Sequence, residues 1–364
     1  MNRREFLIGT TGATTGATAL AQEPGAVPTF TSGTIQVMAP TTVMNKATGD
    51  YVNGLSAPDF ELYDNDRMQK IEVDVSYIPI SLVVAVQKSA QTTEMLPKIM
   101  RIANMLEGVI TGEQGQISVL SFDHRIELLQ DFTNDSEKIK TALGKLRPGS
   151  NSSRMNDAMM EATNLLRRSD REGKRRKIIL LISETQDRGS EIKVRKVLNQ
   201  LEMFNVIVYP VNMSRWLNKL TEKTPAPRPD PFPVASRPMP HGAAVTPTTI
   251  AQNTGASFGN YSVLVKEVFT ATKAIFVSNP QELYAKYTGG REHDFVSQRG
   301  LDDAIQKIGE ELHSQYLLTY RPSDKTKEDG GWHKLQVVVK RPGMEVRTRA
   351  GYWAAAKFED TGNP

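Results

Sequence analysis

Ile80-Ser81-Leu82-Val83-Val84-Ala85-Val86, running into Gln87-Lys88-Ser89-Ala90-Gln91, is the stretch that decides the fold. Apart from Ser81 its first seven residues are apolar, the pattern of a parallel strand covered on both faces. The polar run behind it reads as a turn. The turn leads into a helix over 92–109, with Met95, Ile99, Ile102 and Leu106 on one stripe. In an open α/β sheet, ligands bind at such a turn, at the carboxyl end of a central strand.

Strands and helices alternate outward from this point. Strands are expected over 80–86, 115–122, 126–130, 177–183 and 206–211, and helices over 136–146, 153–168 and 191–204. This alternation specifies an α/β fold, a doubly wound and mostly parallel sheet flanked by helices. Ile178-Ile179-Leu180-Leu181-Ile182 is apolar on both faces, as a central strand should be. Asp123-His124-Arg125 leaves room only for a tight link, so the edge pair it joins is expected to be antiparallel.

The two ends of the chain look different. Over 34–77 short alternating runs are punctuated by turn residues: Thr34-Ile35-Gln36-Val37-Met38, Asp59-Phe60-Glu61-Leu62-Tyr63 and Lys70-Ile71-Glu72-Val73-Asp74-Val75, with Asp64-Asn65-Asp66 as a turn. Strands are expected again over 316–320, 334–340 and 346–349, with Pro342-Gly343 as a hairpin turn. Neither set is large enough for a core of its own. Together they predict a β-sandwich built from 34–77 and 315–354, with an α/β domain over 78–300 inserted between them. An amphipathic helix over 301–314, with Ile305, Ile308 and Leu312 inward, completes that domain, and 355–364 is a tail. A proline-rich insertion spans 225–247, a helical pattern covers 261–276, and a short helix over 280–287 is stopped by Gly289-Gly290.

Composition narrows the function classes. Met1-Asn2-Arg3-Arg4-Glu5-Phe6-Leu7-Ile8 resembles a Tat-type export signal, with small-residue cleavage after Ala21. The expectation is a periplasmic or secreted protein. The formal net charge of +4 falls to +3 when Arg3, Arg4 and Glu5 are removed, because +4 − 1 = +3. Such a weak bias, in an exported chain, argues against a nucleic-acid partner. There is no cysteine, which removes disulfides, thiolate metal sites and thiol nucleophiles. No stretch of the mature chain reads as a membrane span.

Several ordered motifs resemble one family. Gly54-Leu55-Ser56-Ala57-Pro58-Asp59-Phe60-Glu61-Leu62-Tyr63, Thr288-Gly289-Gly290-Arg291, Ser314-Gln315-Tyr316-Leu317-Leu318-Thr319-Tyr320 and Gly351-Tyr352 are similar to the boxes of an exported group of von Willebrand factor A (VWA) proteins, the VWFA-related acidobacterial domain group. The resemblance implies a metal-ion-dependent adhesion site (MIDAS) above the sheet, made from Asp-x-Ser-x-Ser, a Thr and an Asp. Carried onto this chain, those positions are Gln87, Ser89 and Gln91, then Ser153, then Glu184. One carboxylate, two hydroxyls and two carboxamides remain. Mg²⁺ prefers an octahedral oxygen cage with anionic ligands. The expectation is a degenerate MIDAS with no cofactor. If a metal were held, Ser89, Ser153 and Glu184 would be its ligands.

Other groupings carry less. Asp74-Val75-Ser76 repeats the Asp-x-Ser spacing but precedes the buried strand, and Pro79 follows it instead of a helix. His124, His241, His293, His313 and His333 are scattered and lack zinc-helix spacing. Arg167 to Lys177 is a basic run read as a solvated connection, and Trp353 is expected to pack on the sandwich. No nucleophile elbow, phosphate loop or dinucleotide fingerprint is present, so no catalytic residue is assigned. The expected function is a non-enzymatic module that presents the loops over 87–91, 150–153 and 184–187 to a protein partner in the cell envelope or outside it. The alternatives are a metal-dependent adhesion protein with an atypical site and, behind it, a hydrolase using Glu184 or Asp187.

Overall fold

The computed structural model describes residues 37–74, 78–170, 174–214, 279–322 and 331–354, all within one compact unit, Gln36–Pro364. The export motif, the proline-rich insertion and the helical pattern over 261–276 lie outside these residues. So do the side chains of Gln91 and Trp353.

The central sheet has the order β10-β9-β8-β5-β6-β7. It comprises β5 (Ile80–Gln87), β6 (Gln116–Phe122), β7 (Ile126–Thr133), β8 (Arg176–Ser183), β9 (Val206–Asn212) and β10 (His293–Asp294). All neighbours are parallel except β6 and β7, the antiparallel pair expected from the short link at 123–125. Strand periodicity divides the side chains between two cores. Leu82, Val84, Val86, Ile178, Leu180 and Ile182 pack beneath α1 (Leu96–Arg101), α2 (Ala103–Met105), α3 (Ser136–Gly144) and α7 (Gln298–Ser314). Val83, Ala85, Ile179 and Leu181 pack beneath α4 (Met155–Ser169), α5 (Val194–Met203) and α6 (Pro280–Thr288). That is why Ile178–Ile182 is apolar at every position.

The expected single helix over 92–109 is broken into pieces. Thr92 Oγ1 donates to the carbonyl of Ser89 at 2.8 Å and Thr93 Oγ1 to that of Ala90 at 2.6 Å, holding Ala90–Thr92 as a 3₁₀ turn. Short hydroxyl side chains compete with the helix ladder in this way. Pro97 has no N–H and fits only a first helical turn, so α1 starts at Leu96. Leu106–Thr111 then widens into a π-helix closed by Gly112 at φ +64°. The predicted apolar stripe of Met95, Ile99, Ile102 and Leu106 is nevertheless wholly buried.

Two antiparallel sheets form the sandwich. One has the order β13-β1-β11-β4 and the other β14-β12-β2-β3. Their strands are β1 (Val37–Asn45), β2 (Phe60–Asp64), β3 (Arg67–Gln69), β4 (Ile71–Asp74), β11 (Tyr316–Tyr320), β12 (Gly331–Val339), β13 (Met344–Thr348) and β14 (Gly351–Ala354). Each sheet interleaves strands from both ends of the chain, and their inner faces share one core. The first strand runs on to Asn45, past the 34–38 read from sequence. It tolerates Pro40 because pairing with β13 begins only at Thr41, so no ladder donor is missed on that side.

Asp64 is not a turn residue. It ends β2 with its side chain buried, and Asn65 and Asp66, at φ +46° and +63°, make the two-residue hairpin turn. Asp64 Oδ2 accepts hydrogen bonds from Tyr320 (2.6 Å) and Tyr352 (2.8 Å), while Oδ1 lies 2.7 Å from His333 Nδ1. The basic run corrects another expectation. Arg176 is not solvated: it donates to the carbonyl of Leu312 at 2.7 Å and to Gln315 Oε1 at 2.6 Å. Beside it, buried Glu311 accepts from Tyr209 at 2.8 Å and pairs with Arg347 of β13, tying the parallel sheet to the sandwich through α7. Asp170 pairs with Lys177 at 2.9 Å and accepts from the backbone N–H groups of Lys174 and Arg175.

Two outcomes follow. Asp64→Ala leaves two hydroxyls and an imidazole without their acceptor, and should lower the free energy of unfolding by about 3 kcal/mol. Asp66→Ala in the exposed turn should move it little, as urea titration will show. For His293, burial followed by the charges of Arg291, Arg347 and Lys307 pushes the imidazole down to about 4. The fold therefore favours the neutral ring, and the unfolded chain takes up the proton first as pH falls below about 6.5. Stability should be lost between that pH and about 4, and His293→Gln should abolish this share, up to about 3 kcal/mol, in unfolding measured across that window.

Candidate functional site

The carboxyl ends of β5, β6, β8 and β9 place Gln87, Phe122, Ser183 and Asn212 on one edge, and the loops that follow build the site. Gln87, the last residue of β5, is buried. Its Nε2 donates to Ser89 Oγ at 3.0 Å and to Glu184 Oε1 at 2.6 Å. Its Oε1 accepts from the backbone N–H of Glu184 at 3.0 Å. One carboxamide thus spans the first and third loops, with both its donors and its acceptor engaged. Thr92 Oγ1 adds a bond to the Gln87 carbonyl at 3.2 Å.

Of the five residues expected from sequence, three meet in this arrangement: Gln87, Ser89 and Glu184. Ser153 is buried on the middle loop, with no hydrogen-bond partner for its hydroxyl, and joins the site through its carbonyl, which accepts from Arg188 N at 2.8 Å. The backbone of Gln91 lies in the 3₁₀ turn. A small divalent cation is held by oxygen ligands. Here the group between Ser89 Oγ and Glu184 Oε1 is an N–H₂ donor, and Glu184 supplies the only carboxylate of the set. These residues do not fit Mg²⁺.

Asp123, which sequence reasoning treated only as part of a link, ties that link to the middle loop. Its Oδ1 accepts from Arg125 N at 2.9 Å, and its Oδ2 from Ser150 N at 2.8 Å. Burial raises its pKa, but the amides of Ser150 and Arg125, with His124, outweigh that and hold the carboxyl below its usual range. Gly149 N donates to the Lys88 carbonyl at 2.6 Å and Ala90 N to that of Ser150 at 3.1 Å. A Cβ at Gly149 would stand far inside van der Waals contact of Asp123 Oδ2.

Asp123, His124 and Ser150 are the residue types of a hydrolytic triad without its geometry. Both Asp123 Oδ2 and Ser150 Oγ lie 2.9 Å from the same ring nitrogen, Nδ1. A triad needs the aspartate on one nitrogen and the serine on the other.

The third loop is clamped from two sides. Asp157, on α4, accepts from Arg154 Nε at 2.7 Å and from Ile192 N at 2.9 Å. Gln281, on α6, donates to the carbonyls of Ser183 (3.0 Å) and Glu184 (2.9 Å). Burial raises the carboxyl of Asp187 against hydrogen bonds from Ser190, Asn156 and Gly189. It likewise raises that of Glu292, which accepts from Asn212 at 2.8 Å. The position of Asp123 at the carboxyl end of β6 was a usable sequence cue. Gln281, 97 residues from its partner Glu184, gave none.

The family model for the von Willebrand factor type A domain matches residues 84–186, from the middle of β5 through the loop after β8. Residues 84–186 form a von Willebrand factor type A domain. The mostly parallel sheet with helices on both faces is the VWA fold, here carried on a sandwich. Solved structures similar to the chain include three bacterial proteins. BatB from Bacteroides thetaiotaomicron is 14% identical over 36% of this chain and 66% of that one, with a TM-score of 0.30. The vWF domain of the type V pili tip protein Mfa5 from Porphyromonas gingivalis is 20% identical over 31% and 40%, with a TM-score of 0.27. An aerotolerance-related membrane protein from Bacteroides fragilis is 12% identical over 63% and 98%, with a TM-score of 0.38. The chain thus spans less than two thirds of BatB and of the Mfa5 domain. No curated protein matches it.

Because Asp123 is held by three groups, it has no easy way to yield to a larger residue at 149. Gly149→Ala should lower the unfolding free energy of the VWA domain by about 2 kcal/mol, read as a drop in the thermal midpoint.

Proposed function

We propose that this protein is an exported, non-enzymatic interaction module whose VWA domain engages a protein partner without a metal ion. The observation that carries this reading is the Gln87 carboxamide, bonded to Ser89 and to both the side chain and the backbone of Glu184. In this reading the internal hydrogen bonds do the work of fixing the loops. A partner then meets the rim rather than the centre. Gln87, Ser89, Ser153 and Glu184 are buried, whereas His124, Arg125, Asn151, Gln186 and Arg188 around them are exposed. The rim supplies amides, an imidazole and guanidinium groups, suited to hydrogen bonding and shape recognition on a protein surface.

The proposed location, periplasmic or secreted, rests on the Arg3-Arg4 motif. No helix among the described residues is long and apolar enough to cross a membrane. A metal-dependent adhesion protein with an atypical site is the second reading. It is favoured by one observation, the buried Ser153 hydroxyl without a hydrogen-bond partner.

Titration calorimetry with Mg²⁺ and Mn²⁺ separates the two. The proposal expects no saturable heat with either ion up to millimolar concentration. Micromolar binding that disappears in Glu184→Ala would establish the second reading instead.

A further inference from the structure

A second place on the molecule has the makings of a site. An open cleft of about 520 Å³ lies where the sandwich meets the VWA domain, away from the loops at the carboxyl ends of the strands. Its volume falls in the range of small-molecule sites. One wall is the loop after β1, with Tyr51 and Asn53. A second is Val109 in the π-helical turn, and the third is α7, with Gln306, Glu310 and His313. Turns of this kind are found disproportionately at functional sites.

The floor is rigid. Gly309 of α7 packs against the carbonyl and side chain of Val109 so closely that a Cβ there could not be accommodated. The polar groups above it are set in defined roles. His313 Nδ1 lies 2.7 Å from the Gly309 carbonyl, which can only accept, so Nδ1 is the donor and the ring is held in place by that bond. Gln306 Nε2 donates to Glu310 Oε1 at 3.1 Å, which orients the carboxylate and leaves its other oxygen available. Burial, and then the nearby Glu311 charge, raise the pKa of Tyr51, so its hydroxyl remains a donor. Asn53 offers both a donor and an acceptor.

Charge selects the ligand class. No lysine or arginine lines the cleft, which disfavours an anion. Glu310 is the one carboxylate in the lining, set among a phenol, carboxamides and an imidazole, and a single carboxylate is too few anionic ligands to hold a bare metal cation. What remains is an uncharged molecule with several hydroxyls and an apolar face. The Tyr51 ring and Val109 offer the matching surface. We propose that this cleft binds a neutral oligosaccharide, with Glu310 and Asn53 as its principal hydrogen-bonding residues. The proposal is independent of the reading given to the VWA loops.

The full chain would be screened on an array of neutral and acidic oligosaccharides, and the strongest neutral binder then titrated by calorimetry. One or more neutral glycans should bind in competition with the same free glycan. Glu310→Ala and Asn53→Ala, both exposed positions, should each weaken binding roughly tenfold or more. Met203→Ser, exposed on α5 and part of neither the cleft nor the VWA loops, should leave it unchanged, and because the interaction module is tested separately by Mg²⁺ and Mn²⁺ titration, failure here stays distinct from failure of that reading. Absence of any neutral binder, a preference for acidic glycans, or affinity undiminished in both variants would overturn the proposal.

Discussion

The carboxamide of Gln87 is the constraint on which the upper edge of the VWA domain depends. A carboxylate at the end of β5 would face Glu184 across a narrow gap, and two like charges so placed repel unless a cation lies between them. A carboxamide removes one charge and brings its own donors. Its nitrogen bonds Ser89 and Glu184, and its oxygen takes the Glu184 amide. The first and third loops are thereby joined by hydrogen bonds from within the chain, while Asp123 holds the middle loop and Gln281 the third. Buried polar groups cost stability unless they are paired, and here the pairing comes from within the chain.

The lower end of the domain uses charge differently. Arg176, Glu311 and Arg347 are ionic groups set between the parallel sheet, α7 and the sandwich. Desolvating charges is expensive, and such pairs contribute more to geometry than to net stability. Their placement fixes α7 against both the parallel sheet and the sandwich. Tyr287 on α6 and Trp332 on β12 add an edge-to-face aromatic contact, with centroids 5.2 Å apart, on the other face of the parallel sheet.

Much of this was legible in the sequence, and the residues show why. The runs at 80–86 and 178–182 and the stripe of Met95, Ile99, Ile102 and Leu106 are local patterns whose period reports the element and its buried face. The doubly wound α/β sheet followed from them, the shared sandwich from the alternating runs at the two chain ends, and the VWA reading from the resemblance carried by the motifs at 54–63, 288–291, 314–320 and 351–352. The places of Gln87 at the end of β5 and of Glu184 just after β8 could also be read, because the surrounding motif fixes their positions. What could not be read were polar partners distant in sequence. Asp64 sits beside Asn65 and Asp66 and has the composition of a turn, but Tyr320, His333 and Tyr352, some 260 to 290 residues away, draw it into the core. Arg176 looked like one more solvated cation until Leu312 and Gln315 closed over it. The helix at 92–109 failed for a local reason, the competition of Thr92 and Thr93 hydroxyls with the helix ladder, which composition alone did not weigh.

The most direct measurement of the Gln87 account is the proton–nitrogen NMR signal of its side-chain amide, assigned through a Gln87→Asn variant. If the amide nitrogen is bonded to Ser89 and Glu184, its protons should be resolved, slow to exchange with solvent, and unmoved by millimolar Mg²⁺. An amide that exchanges as fast as the exposed glutamines, or that shifts as Mg²⁺ is added, would contradict the account.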